Sequence, residues 1–166
     1  MREIIIGMGE IGKDVKSAIC PTAKTMDTRT MKYQPGFDVM HVCFPYSDTF
    51  KQSLEDYIKE LEPAHIVVYS TVPIGTCSDI DTRIVHSPVE GKHPYLAQSI
   101  RSTTRWYGYN QIGEADFFRR YFTERGFDIY ALRSTNFTEA LKLLSTTEYG
   151  VNIEFARYKK RVADDL

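Results

Sequence analysis

The stretch EIIIGMGEIGKDV, residues 3–15, decides the fold. Ile4, Ile5 and Ile6 make a short apolar run that ends abruptly at Gly7, the pattern of a buried strand. Ile11, Val15 and Ile19 then recur every four residues, as on one face of a helix, and Pro21 closes it. Gly7, Gly9 and Gly12 stand at the junction. The first glycine allows a tight turn out of the strand, the second lets a pyrophosphate approach the backbone, and the third lets helix and strand pack closely. The helix N-terminus adds free N–H groups and the positive end of its dipole. The whole turn, Gly7, Met8, Gly9, Glu10, Ile11 and Gly12, is therefore the expected cradle of a dinucleotide. A weaker strand, Lys24–Met26, ends at Asp27, twenty residues after Gly7, where a carboxylate can accept from ribose hydroxyls. That charge repels a 2′-phosphate and favours NAD over NADP, although the neighbouring Arg29 is a side chain able to accommodate the phosphate. The alternative is a structural turn with a surface aspartate.

Strand and helix patterns alternate through the rest of the chain. Thr28 to Phe37 is polar, turns at Pro35-Gly36, and lacks the periodicity of a full crossover helix. Val39–Phe44 is the clearest buried strand. Ser47 or Asp48 is placed to cap the next helix, whose stripe is Phe50, Leu54, Tyr57, Ile58 and Leu61 and whose end is Pro63. Further strands are expected at Ile66–Tyr69, Ile84-Val85, Trp106–Tyr109 and Ile129–Leu132, with a helix at Ala115–Arg125 stopped by Gly126. Asn136 followed by Glu139 has the form of a capping box and opens a long helix to about Ala163, with Gly150 its weak point. This alternation predicts an α/β fold, a Rossmann-type doubly wound, mostly parallel sheet with helices on both faces, followed by a long C-terminal helix. The expected organisation is a dinucleotide-binding domain over 1–133 and, over 134–166, the long helix. Leu141, Leu144, Val151 and Phe155 give that helix more apolar surface than it needs alone, which predicts packing against a homodimer partner.

The bulk composition narrows the class. With 166 residues the chain is long enough for one domain with a real core. A net charge of −1 gives no broad pull toward nucleic acid or anionic membrane, and no apolar run approaches the roughly 20 residues of a membrane helix. The N-terminus lacks the apolar stretch of a signal peptide. Cys20, Cys43 and Cys77 are odd in number and scattered, which argues against a disulfide framework and for a reduced, cytoplasmic protein. His86 and His93 lack metal-ligand spacing, and no metal is expected.

Other stretches are candidates for a site. Phe44 and Pro45, in CFPYS (43–47), end a central strand, where ligands bind in open parallel sheets, or else make a plain turn. STVPIGT (70–76) offers the hydroxyls of Ser70 and Thr71, for a ligand or for a cap. HSPVEGKHPYL (86–96) gathers Glu90, Lys92 and two histidines, as a substrate-contacting segment or a solvated loop. Arg101 and Arg105 either receive an anion or stand exposed. Lys142 shares a helix face with Thr146 and Tyr149, where a lysine suits proton transfer or simple solvation.

These stretches, in this order, resemble the N-terminal half of the UDP-glucose/GDP-mannose (nucleotide-sugar) dehydrogenase family and, more distantly, the 6-phosphogluconate and hydroxyacid dehydrogenases. IIIGMGEIG is similar to the cofactor turn, VMHVCFP to the third-strand motif, STVPIGT to the STVP turn, and SPVEG to the Ser-Pro-Glu region with Val89 inserted. EALKLLSTTEYGVNIEF resembles the start of the family's central helix. The resemblance implies an NAD-dependent oxidoreductase transferring hydride to or from a secondary alcohol. Lys142 aligns with the catalytic lysine, and Thr71 and Glu90 would face a small-molecule substrate such as a nucleotide sugar. Thr146 stands where the family has asparagine. The family's nucleophilic cysteine belongs to a C-terminal substrate domain, outside these 166 residues. A non-catalytic NAD- or nucleotide-sugar-binding module is the second reading, and a scaffold with an empty glycine turn the third.

Overall fold

A computed structural model of the chain describes residues 1–27, 32–91 and 94–165. Among the described residues seven strands form one sheet: β1 (Glu3–Ile6), β2 (Lys24–Met26), β3 (Val39–Val42), β4 (His65–Val68), β5 (Ile84–His86), β6 (Arg105–Tyr109) and β7 (Ile129–Arg133). Their order is β2-β1-β3-β4-β5-β6-β7, and every pair is parallel except β5 with β6. The helices are α1 (Glu10–Ala18), α2 (Phe50–Leu61), α3 (Thr76–Ile80), α4 (Leu96–Ser102), α5 (Ile112–Thr123) and α6 (Thr135–Asp164).

The central strands are apolar on both sides because both faces of the sheet are covered. Ile5, Val39, Val67 and Val85 join Val15 of α1, Ile100 of α4 and Phe118 of α5 in one core. Ile4, Ile6, Met40, Val42, Ile66 and Ile84 join Leu54 of α2 and Cys77 of α3 in the other. The chain leaves β1 for β2 on one side and returns to β3 on the other. That reversal opens a crevice at the carboxyl ends of β1 and β3. Between Asp27 and β3 the described residues contain no helix, as the polar composition predicts.

Several local expectations are corrected. The helix after β3 is capped by neither Ser47 nor Asp48: its N-cap is Thr49, which makes no side-chain cap bond, and the Ser47 hydroxyl pairs with that of Thr49 at 3.2 Å. Helix α6 starts two residues earlier than its capping-box pattern implies. Ser134 is the N-cap, accepting from Asn136 N–H, and Glu139 reaches elsewhere. The short helices α3 and α4 replace what read as loop; five and seven residues are too few to show a periodicity. Arg105 is buried, the first residue of β6, whereas Arg101 lies over the Phe127 ring. Helix α6 crosses β6 where Gly108 leaves room; a Cβ there would stand 2.6 Å from Thr138 Oγ1.

Candidate functional site

Gly7 carries the bend that ends β1. Its φ is +92°, a region that side chains avoid, and an added Cβ would stand 2.7 Å from Phe44 N. At Gly12 a Cβ would meet Gly7 O at 1.9 Å, so only glycine lets α1 start this close to the strand. Gly9 is different: nothing lies within 4 Å of where its Cβ would be. Close packing at Gly7 and Gly12 and open space at Gly9 are the two properties a pyrophosphate cradle needs. Helix α1 begins at Glu10, and its first residues Glu10 and Ile11 line this space, where a helix N-terminus favours an anion.

The space is a cleft of about 340 Å³, and residues from three strand ends line it: Gly9, Glu10 and Ile11 after β1, Cys43 to Tyr46 after β3, and Ser70 and Thr71 after β4. Glu10, Ile11, Phe44, Pro45, Ser70 and Thr71, singled out in the sequence, thus come together in one place. Ser70 Oγ donates to Phe44 O at 2.6 Å and ties two of these ends together. Asp27 stands beside the turn: Met8 N–H donates to its Oδ1 at 2.8 Å, and Gly7 N–H donates to Met26 O. Arg29, Lys92 and His93 lie outside the described residues.

A second group of side chains is held by the start of α6. Thr135, Thr138, Glu139 and Lys142 share one face of it, at spacings that bring every three or four residues round to the same side. Lys142 Nζ donates to Val89 O at 2.9 Å and so reaches the SPVEG loop. Partial burial holds its ammonium below the ordinary lysine value, while the nearby Glu90 charge opposes that shift. Glu90 is exposed. Thr146 donates to Lys142 O, within its own helix. Thr138 Oγ1 lies 2.9 Å from His86 Nδ1, and His86 Nε2 lies 3.0 Å from Ser70 O. A carbonyl only accepts, which assigns the ring proton to Nε2. Burial, assisted by the Lys142 charge, lowers the His86 pKa from 6.5 to about 4, although the Ser70 bond opposes the change. The imidazole is thus neutral and structural, a brace between β4, β5 and α6. Under the same loop, the buried Arg105 donates from Nη2 to Ser87 O, Ser87 Oγ and Pro88 O.

Sequence reasoning missed Glu139. Its two carboxylate oxygens accept from Gly75 N–H at 2.6 Å and Cys77 N–H at 2.9 Å, across more than sixty residues of sequence. The signal that was available is the polar stripe Thr135, Thr138, Glu139, Lys142 on an otherwise apolar helix start. All three cysteines are buried. Burial pushes the Cys20 thiol up to about 12, and those of Cys43 and Cys77 well above their ordinary 9.0.

Solved structures share this fold. A UDP-D-ManNAc dehydrogenase from Pyrococcus horikoshii superposes with a TM-score of 0.77 at 15% identity, over 94% of this chain and 52% of that one. A GDP-mannose dehydrogenase from Pseudomonas aeruginosa gives 0.75 at 15% identity, over 95% of this chain and 52% of that one. A 3-hydroxyisobutyrate dehydrogenase from Mycobacterium tuberculosis gives 0.68 at 12% identity, over 87% and 59%. The chain spans about half the length of the two nucleotide-sugar dehydrogenases. At these identities the likeness establishes the fold, the same one that the glycine turn and the STVP turn implied. No protein-family model and no curated protein matches the chain.

Proposed function

We propose that the chain binds NAD in the cleft over Gly7–Gly12 and serves hydride transfer with a secondary alcohol, of which a nucleotide sugar is the leading candidate. The observation that carries this reading is the contrast at the three glycines: two are filled by backbone, and Gly9 opens onto the cleft. NAD supplies the hydride acceptor when bound. The chain's own groups do the rest. Asp27 is in place to accept from a ribose hydroxyl, which favours NAD over NADP. Ser70 and Thr71 bring hydroxyls to the cleft. Lys142, with its lowered pKa, is suited to take a proton from an alcohol, and Glu90 to pass it on through water. The buried cysteines favour a reduced, cytoplasmic setting and leave no ready thiolate, so these 166 residues would stop after one hydride.

The second reading, a non-catalytic module that senses NAD, draws on two contacts: Lys142 is already engaged by Val89 O, and Thr146 by its own helix. Calorimetry with NAD and NADP tests the shared premise, and tighter binding of NADP would sink the Asp27 assignment. An assay for NADH with nucleotide sugars and hydroxyacids then separates the readings. One NADH per substrate is expected; two per sugar would refute the argument from the thiols, and none despite NAD binding would favour the sensor.

A homodimer through α6 belongs to the same proposal. Phe137, Leu141, Leu144, Glu148, Val151, Phe155, Tyr158 and Val162 follow one another at alternating spacings of four and three, a 3.5-residue seam. All are solvent-facing, on the side of α6 opposite Thr135, Thr138 and Lys142. A light-scattering mass near 19.1 kDa at micromolar concentration would contradict the dimer.

A further inference from the structure

We infer that Glu139 is the positioning residue that keeps the turn after β4, and with it Thr71, in register with Lys142. The inference rests on reading Thr71 and Lys142 as parts of one site.

The two residues come from separate parts of the chain. Thr71 belongs to the segment between β4 and α3, and Lys142 to the second turn of α6. Glu139 is fully buried between them. Its carboxylate takes the N–H groups of Gly75 and Cys77, one oxygen to each, at the start of α3. These are charge-assisted bonds to main chain, so they fix the path of the turn and not merely one side chain. Lys142 lies one helical turn further on, tied to Val89 O. Two turns of α6 therefore grip the segment after β4 with Glu139 and the SPVEG loop with Lys142. Gly75 makes the first grip consequential. It holds φ at +92°, and a glycine released from its bond has many other conformations open to it. The described bonds of Gly7 and Met8 run to Met26 and Asp27, so the clamp acts on the Thr71 end of the cleft and not through those bonds of the cradle.

Glutamine at this position has the same shape but only one acceptor oxygen, and its amide would face a main-chain N–H. The test compares the ¹⁵N-labelled full chain with its Glu139→Gln and Glu139→Asp variants by NMR. In the wild type the Gly75 and Cys77 amide protons should resonate downfield and exchange slowly. In Glu139→Gln they should move upfield, the Thr71 amide should move with them, and Gly9 and Gly12 should stay in place. NAD affinity should change by less than about twofold, while kcat, for any alcohol the chain oxidises, should fall about a hundredfold, the scale of a misplaced reacting group. Glu139→Asp should recover part of the shifts. A Thr71 amide that stays put while Gly75 and Cys77 move would overturn the proposal, and so would a loss of NAD affinity that tracks the release of the turn. Should Glu139→Gln not fold, the wild type alone decides: fast exchange at Gly75 and Cys77 refutes the clamp, and slow exchange upholds it. A wild type without turnover on any alcohol would refute the catalytic reading, while the amide shifts would still decide the clamp.

Discussion

The glycine turn and the start of α6 assemble their two groups of candidate residues by opposite means. At Gly7–Gly12 the site is made by leaving side chains out, so that backbone packs closely at Gly7 and Gly12 and Gly9 opens onto the cleft. At Thr135–Lys142 it is made by side chains that reach out to His86, Gly75, Cys77 and Val89. A backbone site depends on local conformation and tolerates change at a distance. A side-chain site depends on long-range partners and fails when any one of them moves. Each region can therefore be broken without the other.

The largest such break is at Lys142. In Lys142→Ala, kcat for alcohol oxidation should fall about a thousandfold, the range that a positioned general base supplies. NAD affinity should not change, because the described bonds of Gly7 and Met8 run to Met26 and Asp27 and not to Lys142. Steady-state NADH production and calorimetry on one preparation check both statements. A parallel loss of NAD binding would mean that the two regions form a single unit.

This difference also governs what could be read from the sequence. The glycine turn was legible because strand, spacing and helix all lie within residues 3–15, and so were the strand ends that place Phe44, Ser70 and Thr71. Glu139 was not legible, since its partners lie 62 and 64 residues away and its spacing from Asn136 mimics a local cap. Arg105 misled in the same way. A lone arginine before a strand reads as an anion receiver or an exposed side chain, yet this one is buried under the SPVEG loop against carbonyls contributed by residues 87 and 88. The helices α3 and α4 are too short to carry a pattern at all.

Acid should loosen the α6 side through His86. Its pKa in the folded chain is about 4, against 6.5 ordinarily, so the unfolded chain takes up the proton first. The stability contributed by the neutral ring is complete above pH 6.5 and is lost as pH falls toward 4, about 3 kcal/mol in all. Burial also lowers the His41 pKa, which acts in the same direction. Urea titrations at pH 7.5 and 4.5 read the loss, and replacing His86 by Gln should flatten it. A stability independent of pH across that window would show that His86 is not buried and neutral.

A smaller break lies beside the glycine turn. Asp27→Ala should weaken NAD by about 2 kcal/mol, the scale of one charge-assisted hydrogen bond, and should narrow the preference over NADP. Catalysis at saturating NAD should survive, since Asp27 contacts the turn and not α6. Calorimetric titration of both cofactors with the variant measures the first effect. Equal NAD affinity in variant and wild type would leave Asp27 as no more than an acceptor for Met8 N–H.

The smallest effect concerns the part of α6 that leaves the domain. Beyond Leu144 the described residues of this helix are exposed, so its stability there comes from propensity and from whatever covers the seam. Gly150 is the weak position, and a Cβ there would meet nothing within 4 Å. Gly150→Ala should therefore raise stability by about 1 kcal/mol, the ordinary gain for alanine in an exposed helix interior. Successive residues turn by about 100°, which puts Gly150 well away from the seam of Leu144, Val151 and Phe155. The same substitution should thus leave the dimer constant untouched, whereas Leu144→Asp, on the seam, should drive the chain to monomer. Sedimentation equilibrium on the two variants distinguishes the faces. Dissociation by Gly150→Ala, with Leu144→Asp still dimeric, would place the partner on the wrong side of α6 and overturn the heptad seam.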